Sequence, residues 1–177
     1  MIEDPCILLI GPRGAGKSSI ARIIAESCGR RLFGTDAEIE STAGCSIAEI
    51  VERSGWRKFR RIESEVIAGL AEVRGAVIDL GGGAVLDSVN RRLLAAIGKF
   101  VLLLAPPEVL ARRIKYSEST RPSLTGRLSP TEEMAAILKE RLPLYEHLAD
   151  KTIYTNELDE RTAAQRAIEF MNWGRSE

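Results

Sequence analysis

"CILLIGPRGAGKSSI", residues 6–20, runs from five apolar residues through a glycine-rich turn into an amphipathic stretch. The apolar run has the length of a strand buried on both faces. The stretch after the turn puts Ile20, Ile23 and Ile24 on one side of a helix that Gly29 ends. In the turn itself, Gly11, Gly16, Lys17 and Ser18 satisfy the spacing G-x-x-x-x-G-K-[ST]. Glycines there let consecutive backbone N–H groups curl around an anion, and the N-terminus of the following helix adds its positive end. Gly14, Ala15, Gly16, Lys17, Ser18 and Ser19 are the candidate phosphate contacts, with Lys17 reaching the β and γ phosphates and Ser18 holding Mg²⁺. The competing reading is a plain glycine turn before a helix. The spacing is not G-x-G-x-x-G, so a dinucleotide site is not indicated.

Outward from this turn, short apolar runs at 31–33, 76–80, 100–104 and 152–155 alternate with longer amphipathic stretches. "SIAE" at 46–49 is a capping box that opens a short helix closed by Gly55. Phe59, Ile62, Val66, Leu70 and Val73 form one stripe of a longer helix. Residues 129–149 bring Met134, Leu138, Leu142, Tyr145 and Leu148 together, and Pro143 inside that stretch predicts a kink. Strands alternating with helices predict an α/β fold, a parallel sheet covered on both faces. The stretch "KYSESTRPSLTGRLSP", 115–130, fits neither pattern and is long for a connection, which marks it as functional or disordered.

A chain of 177 residues, 45% of them apolar, can fill the core of a single domain. Lys plus Arg and Asp plus Glu balance at 25 each, so no global field invites nucleic acid or a membrane surface. Three widely spaced cysteines (Cys6, Cys28, Cys45) make neither a disulfide framework nor a zinc pattern and fit a reducing compartment. No apolar run approaches the roughly 20 residues of a membrane span, and an N-terminus carrying Glu3 and Asp4 does not read as a signal peptide. The expectation is one domain, cytoplasmic and monomeric, with no nucleic-acid or membrane partner.

A phosphate cradle implies a nucleotide without fixing a reaction. "IYTNELD", 153–159, lacks the Lys and the spacing of a guanine-recognition motif, which favours ATP. The chain length suits a small-molecule kinase. "GAVIDLGGGAV", 75–85, ends an apolar strand on Asp79 and then strips the side chains from Gly81, Gly82 and Gly83. Either the triplet is a loose turn or something large lies against bare backbone. An acid closing an apolar strand is the Walker B pattern, which holds Mg²⁺; a capping or turn acid is the alternative. Asp36 follows the second strand, where ligands of parallel sheets collect, and it reads equally well as the N-cap of a helix over 37–42. Arg60 and Glu63 are spaced i,i+3, which by itself describes a solvated surface pair. His147, the only histidine, has no base or metal partner in sequence. Trp56 precedes Arg60 in the same turn as a candidate pocket wall, and Trp173 reads as packing.

Six stretches occur in the order and at roughly the spacing seen in shikimate kinases: "GPRGAGKSS", "TDAEIE", "FRRIE", "LGGG", "RPSLTG" and "ERLPLY". The resemblance covers the chain to about residue 150. It implies a P-loop, nucleoside-monophosphate-kinase-like three-layer sandwich with a five-stranded parallel sheet. It also implies a substrate-binding segment over about 35–75 and a lid over about 113–127. The implied reaction moves the γ-phosphoryl group of ATP to the 3-hydroxyl of shikimate, with Mg²⁺, on the route to chorismate and the aromatic amino acids. By the same resemblance, Arg60 and Arg141 grip the shikimate carboxylate, Glu63 holds Arg60, and Asp36 positions the reacting hydroxyl. Gly82 and Gly83, with Gly81, present backbone to the ring. Arg121 closes over the phosphates, and Arg113 lies near adenine. Lys17, Asp36 and Arg121 form the implied catalytic set.

One position departs from the pattern. The resemblance implies Asp-x-Asp after the second strand, with the first Asp helping to order Mg²⁺, and Gly34 stands in its place. Asp79 stands where Ser, Thr or Ala is more usual. Asp79 is therefore expected to supply, beside Ser18, the carboxylate that Gly34 lacks. Two rival readings remain open. A kinase for another small molecule, such as gluconate, would not need two carboxylate-gripping arginines. A regulatory nucleotide-binding module without turnover would fit Gly34, but Lys17, Asp36 and Arg121 argue against it.

Overall fold

The computed structural model describes residues 2–115 and 129–172. Every residue of β1 (Cys6–Ile10) is buried. It pairs in parallel with β3 (Val77–Asp79) on one side and β4 (Gly98–Leu104) on the other. The edges are β2 (Leu32–Gly34) and β5 (Lys151–Tyr154), which gives a five-stranded sheet of order β2-β3-β1-β4-β5 with all pairs parallel. Parallel neighbours need crossovers, and helices supply them. These are α1 (Lys17–Cys28), α2 (Thr35–Ala43), α3 (Ile47–Ala68), α4 (Ser88–Ala95), α5 (Pro107–Lys115), α6 (Pro130–Leu148) and α7 (Glu160–Asn172).

Side chains alternate across the strands and so build two cores, one on each face. Ile7 and Leu9 pack with Ile20, Ile24, Leu110 and Ala164. Cys6, Leu8 and Ile10 pack with Ile67, Leu94 and Tyr145 on the other side. Each fully buried aliphatic chain contributes roughly 1.5–3 kcal/mol, so the central strand anchors both layers. A third cluster, Ile39, Ile47, Ile50, Phe59 and Ile62, joins α2 to α3 away from the sheet. There the Trp56 ring meets Phe59 edge-on at a centroid separation of 5.6 Å.

The capping box forms as expected, with Ser46 accepting from the Glu49 N–H and Glu49 reaching back to the Ser46 N–H. Gly55 marks a sharp bend (φ 74°, ψ 169°), but the helical segments on either side of it run together as α3. That helix ends at Ala68, so Leu70 and Val73 enter the core from the turn beyond. Pro143 lies inside α6, and the helix continues through it to Leu148. Helices α4, α5 and α7 occupy stretches where the pattern suggested no element. The reason is plainest for α7, which packs through the small residues Ala163, Ala164 and Ala167 and so shows no stripe of large apolar residues. The cysteines are unpaired, with Cys6 buried and Cys28 exposed. Among the described residues no helix is long and apolar enough to cross a membrane.

Gly98 sits opposite Cys6 where β4 meets β1, and a Cβ there would lie 2.4 Å from the Cys6 carbonyl oxygen. Two paired strands must part to relieve that contact. Gly98→Ala should therefore lower stability by about 2 kcal/mol, seen as a lower urea midpoint with an unchanged slope.

Candidate active site

Because all five strands run the same way, the segments leaving β1, β2 and β3 meet at one edge. The turn after β1 approaches β4 so closely that a Cβ on Gly11 would lie 2.2 Å from the Leu103 carbonyl oxygen. Gly16 precedes α1 in the left-handed region (φ 88°), which turns the chain into the helix. Lys17 is buried and donates to the carbonyls of Gly11 and Pro12, both at 3.1 Å. Ser18 Oγ donates to Asp79 Oδ2 at 2.6 Å. The acid that ends β3 thus stands against the hydroxyl of the phosphate turn.

Asp79 is in register with Gly34 on β2, so a side chain at 34 would stand beside its carboxylate. Gly34 is extended (φ −109°, ψ 111°), and a Cβ there would meet only Ala37 Cβ, at 3.9 Å. Neither backbone nor packing requires glycine at this position. Gly34 is also the N-cap of α2, and Asp36 lies inside the first turn. The N-cap reading of Asp36 is thereby corrected; an acid at that place still complements the positive helix end.

The three glycines face three different neighbours. A Cβ on Gly81 would lie 3.0 Å from both Asp36 Oδ1 and Glu63 Oε1. On Gly82 it would lie 3.3 Å from the Gly11 carbonyl oxygen. On Gly83 it would fall 2.2 Å from Arg60 Nη2. The triplet therefore makes room first for the protein's own charged groups and for the phosphate turn. Arg60 Nη1 donates to Glu63 Oε2 at 2.5 Å, and the Glu63 side chain is only 1% exposed. This is a buried carboxylate with its charge partner and no solvated surface pair. Arg141 Nη1 approaches the Gly82 carbonyl oxygen at 3.4 Å from α6. Arg60, Arg141, Trp56, Gly82 and Gly83 line a cavity of about 210 Å³ that opens beside Pro12 and Arg13 of the phosphate turn.

Two residues at this site escaped the sequence reading. The buried Thr35 accepts from the Gly81 N–H at 2.9 Å and donates to the Asp79 carbonyl oxygen at 3.3 Å. Tyr145, fully buried, donates its hydroxyl to the Gly82 carbonyl oxygen. Burial pushes the Tyr145 phenol up from its ordinary value, so it remains a donor. The helical stripe marked Tyr145 as core, and nothing local to it indicated Gly82.

A smaller cavity of about 90 Å³ lies between Gly16, Arg113, Thr155 and Asp159. Arg113 donates to Thr155 Oγ1 at 2.9 Å, to the Thr155 carbonyl at 2.8 Å and to the Gly14 carbonyl at 3.4 Å. The arginine thus ties the phosphate turn to the end of β5.

The family model for shikimate kinase matches residues 13–172. The chain belongs to the shikimate kinase family. A shikimate kinase from Nitrosococcus oceani is 41% identical over 163 residues, 92% of this chain and 84% of that protein. One from Tolumonas auensis is 36% identical and covers 97% of this chain and 99% of its own length. A solved shikimate kinase from Acinetobacter baumannii, in complex with shikimate, superposes with a TM-score of 0.89 at 35% identity, covering 98% of this chain and 96% of that one. A gluconokinase from Sinorhizobium meliloti shares the fold at a TM-score of 0.61 and 18% identity. The five-stranded parallel sheet expected from the shikimate kinase resemblance is the one observed. Of the residues that the resemblance singled out, Arg121 and positions 116–127 of the expected lid lie outside the described residues, as does Trp173. His147 is exposed on α6, apart from the site.

The three atoms nearest to a methyl group at Gly83 all belong to the far end of the flexible Arg60 side chain. Gly83→Ala should displace the Arg60 guanidinium from its bond to Glu63 and lower the melting temperature by several degrees, because the buried carboxylate loses its cation. A crystal structure of the variant checks both the fold and the displacement.

Proposed function

We propose that the cavity between Arg60 and Arg141 holds shikimate and that the turn at 11–19 holds the phosphates of ATP. The enzyme transfers the γ-phosphoryl group to the 3-hydroxyl, giving ADP and shikimate 3-phosphate. One observation carries the reading: two arginines from different helices flank one cavity that Pro12 and Arg13 of the phosphate turn also line. A ring with one carboxylate and several hydroxyls matches this set, since guanidinium forks bind carboxylates in a planar, bidentate way. Glu63 holds Arg60 in place, and Asp36 accepts from the reacting hydroxyl and aims its oxygen. Lys17 leaves its loop carbonyls for the phosphates, and the amides of Gly14, Ala15, Gly16, Ser18 and Ser19 cradle them. Arg113 forms a wall of the base pocket, and Arg121 is assigned to the transferring group. Little covalent chemistry falls to the protein, so positioning and charge neutralisation supply the catalysis.

Ser18 and Asp79 suit Mg²⁺, because a hydroxyl and a carboxylate 2.6 Å apart are hard oxygen donors beside the phosphate turn. Held by these two residues, Mg²⁺ would supply positive charge to offset the negative charge that develops on the transferring phosphoryl group. We read the chain as one catalytic domain with α2 and α3 as its acceptor segment, acting as a cytoplasmic monomer without nucleic-acid or membrane partners. Coupled ADP release with shikimate, with gluconate and with no acceptor tests the activity. Release that depends on gluconate and not on shikimate would overturn it.

Arg60→Lys and Arg141→Lys should each raise KM for shikimate about tenfold or more and leave KM for ATP nearly unchanged, because an ammonium cannot form the planar fork. Steady-state kinetics with each substrate varied will show whether the two constants separate.

The metal assignment has its own test. Asp79→Ala should raise the Mg²⁺ requirement and lower turnover with little change in shikimate affinity. Gly34→Asp, which the extended backbone and open space accommodate, should do little in the parent and restore part of the loss in Asp79→Ala. The coupling between the two changes should be about 1 kcal/mol or more. Titrating nucleotide-dependent Mn²⁺ binding in the four proteins measures it without turnover, and additive effects would remove Asp79 from the metal.

A further inference from the structure

We infer that Thr35 and Tyr145 are positioning residues that grip the glycine triplet from two sides and hold the Gly82 and Gly83 amides as a pair of donors for the acceptor substrate. Each buried backbone N–H and C=O of the triplet needs a partner. The Gly81 N–H goes to Thr35 Oγ1 at 2.9 Å, and the Gly81 carbonyl accepts from the Ala84 N–H at 2.9 Å. The Gly82 carbonyl accepts from the Tyr145 hydroxyl and, at 3.4 Å, from Arg141. The Gly83 carbonyl accepts from the Leu86 N–H at 3.0 Å. Among the described residues, the N–H groups of Gly82 and Gly83 have no protein acceptor, and both glycines line the acceptor cavity.

A peptide unit is planar and trans, so fixing a carbonyl fixes the next N–H in the opposite direction. Holding the Gly81 carbonyl aims the Gly82 N–H, and holding the Gly82 carbonyl aims the Gly83 N–H. Glycine is the residue least able to hold such a direction by itself, since it samples both signs of φ. The direction therefore has to come from outside the triplet. Tyr145 and Arg141 are one helical turn apart on α6 and reach the same carbonyl, which joins the backbone donors to one of the cavity's two arginines. Thr35 stands next to Asp36 and also donates to the Asp79 carbonyl at 3.3 Å, so one hydroxyl joins the ends of β2 and β3 to the triplet. Neither side chain touches a substrate in this account. Tyr145 acts through the Gly83 amide that it aims, and Thr35 anchors the peptide entering the triplet, from which the turn closed by Ala84 sets the Gly82 amide.

The inference rests on the cavity being the acceptor site, and the experiment separates the two. Tyr145→Phe keeps the ring in the core and removes only the hydroxyl. It should raise KM for shikimate about tenfold, the effect of losing one well-aligned hydrogen bond, and hold KM for ATP within about twofold. Thr35→Val, which keeps the shape, should shift the same constant in the same direction, and Thr35→Ser should recover most of that loss. This second pair carries the test if Tyr145→Phe does not fold. In glycine-labelled protein without ligand, the Gly82 and Gly83 amide resonances should broaden in Tyr145→Phe and Thr35→Val and be sharp in the parent. That readout stands even if the parent shows no shikimate-dependent ADP release, an outcome that would defeat the acceptor reading and leave the grip measured. Unchanged resonances and an unchanged KM for shikimate would overturn the inference. So would equal rises in both KM values with a matching loss of melting temperature, which would mark ordinary core hydroxyls.

Discussion

The central strand β1 is paired along both edges and buried along its whole length. Such a strand has no side on which a loop could pass, so the chain leaves it only at its end. The turn that follows must sit in the middle of the carboxyl edge, between the exits of β3 and β4. Its close approach to the Leu103 carbonyl admits no side chain at Gly11. The phosphate turn is therefore held by the sheet itself, and its neighbours are fixed by strand order. Asp79 arrives from β3 on one side, and Arg113 reaches across to Gly14 from the other.

Around that fixed turn the protein concentrates charge. Glu63 is almost completely removed from water and keeps Arg60 as its partner. A buried carboxylate deprived of its cation is strongly destabilising, so the pair holds one arginine fork in a single place. The glycine triplet makes this crowding possible. Gly81 yields space to Asp36 and Glu63, Gly82 to the phosphate turn, and Gly83 to the guanidinium. Glycine loses more backbone freedom on folding than any other residue, and the hydrogen bonds that the triplet makes with Thr35, Ala84 and Tyr145 offset that loss by fixing the peptides.

A gluconokinase at 18% identity shares the sheet and its helices, so the architecture alone does not select an acceptor. Two of the side chains around the cavity, Trp56 and Arg60, come from a helical segment with an apolar cluster of its own. Ile39, Ile47, Ile50, Phe59 and Ile62 pack α2 against α3 without drawing on the sheet's two main cores. Phe59 is buried there while its neighbour Arg60 turns its guanidinium over the ring, 5.0 Å from the centroid. Apolar and charged residues alternate within one helical turn, and that spacing sends one inward and the other to the cavity.

What the sequence determined by itself was local and periodic. The spacing of Gly11, Gly16, Lys17 and Ser18 encodes a turn whose defining residues all lie within eight positions, and the capping box at Ser46 closes over four. The alternation of apolar runs was enough for a parallel sheet, because such strands must be buried on both faces. Helix boundaries followed less well where the stripe ran on past Ala68 into a turn, and α7 carried too few large apolar residues to stand out. Only the tertiary structure decided what each glycine of the triplet was for. The Gly81 N–H meets Thr35 across 46 positions, the Gly82 carbonyl meets Tyr145 across 63, and Ser18 meets Asp79 across 61. No period in the chain connects such pairs; the strand order that brings them together does. The same holds for Gly34, whose sequence position suggested a missing acid. Its extended backbone and open surroundings show that the fold makes no demand for glycine there, and Asp79 stands in register with it on β3.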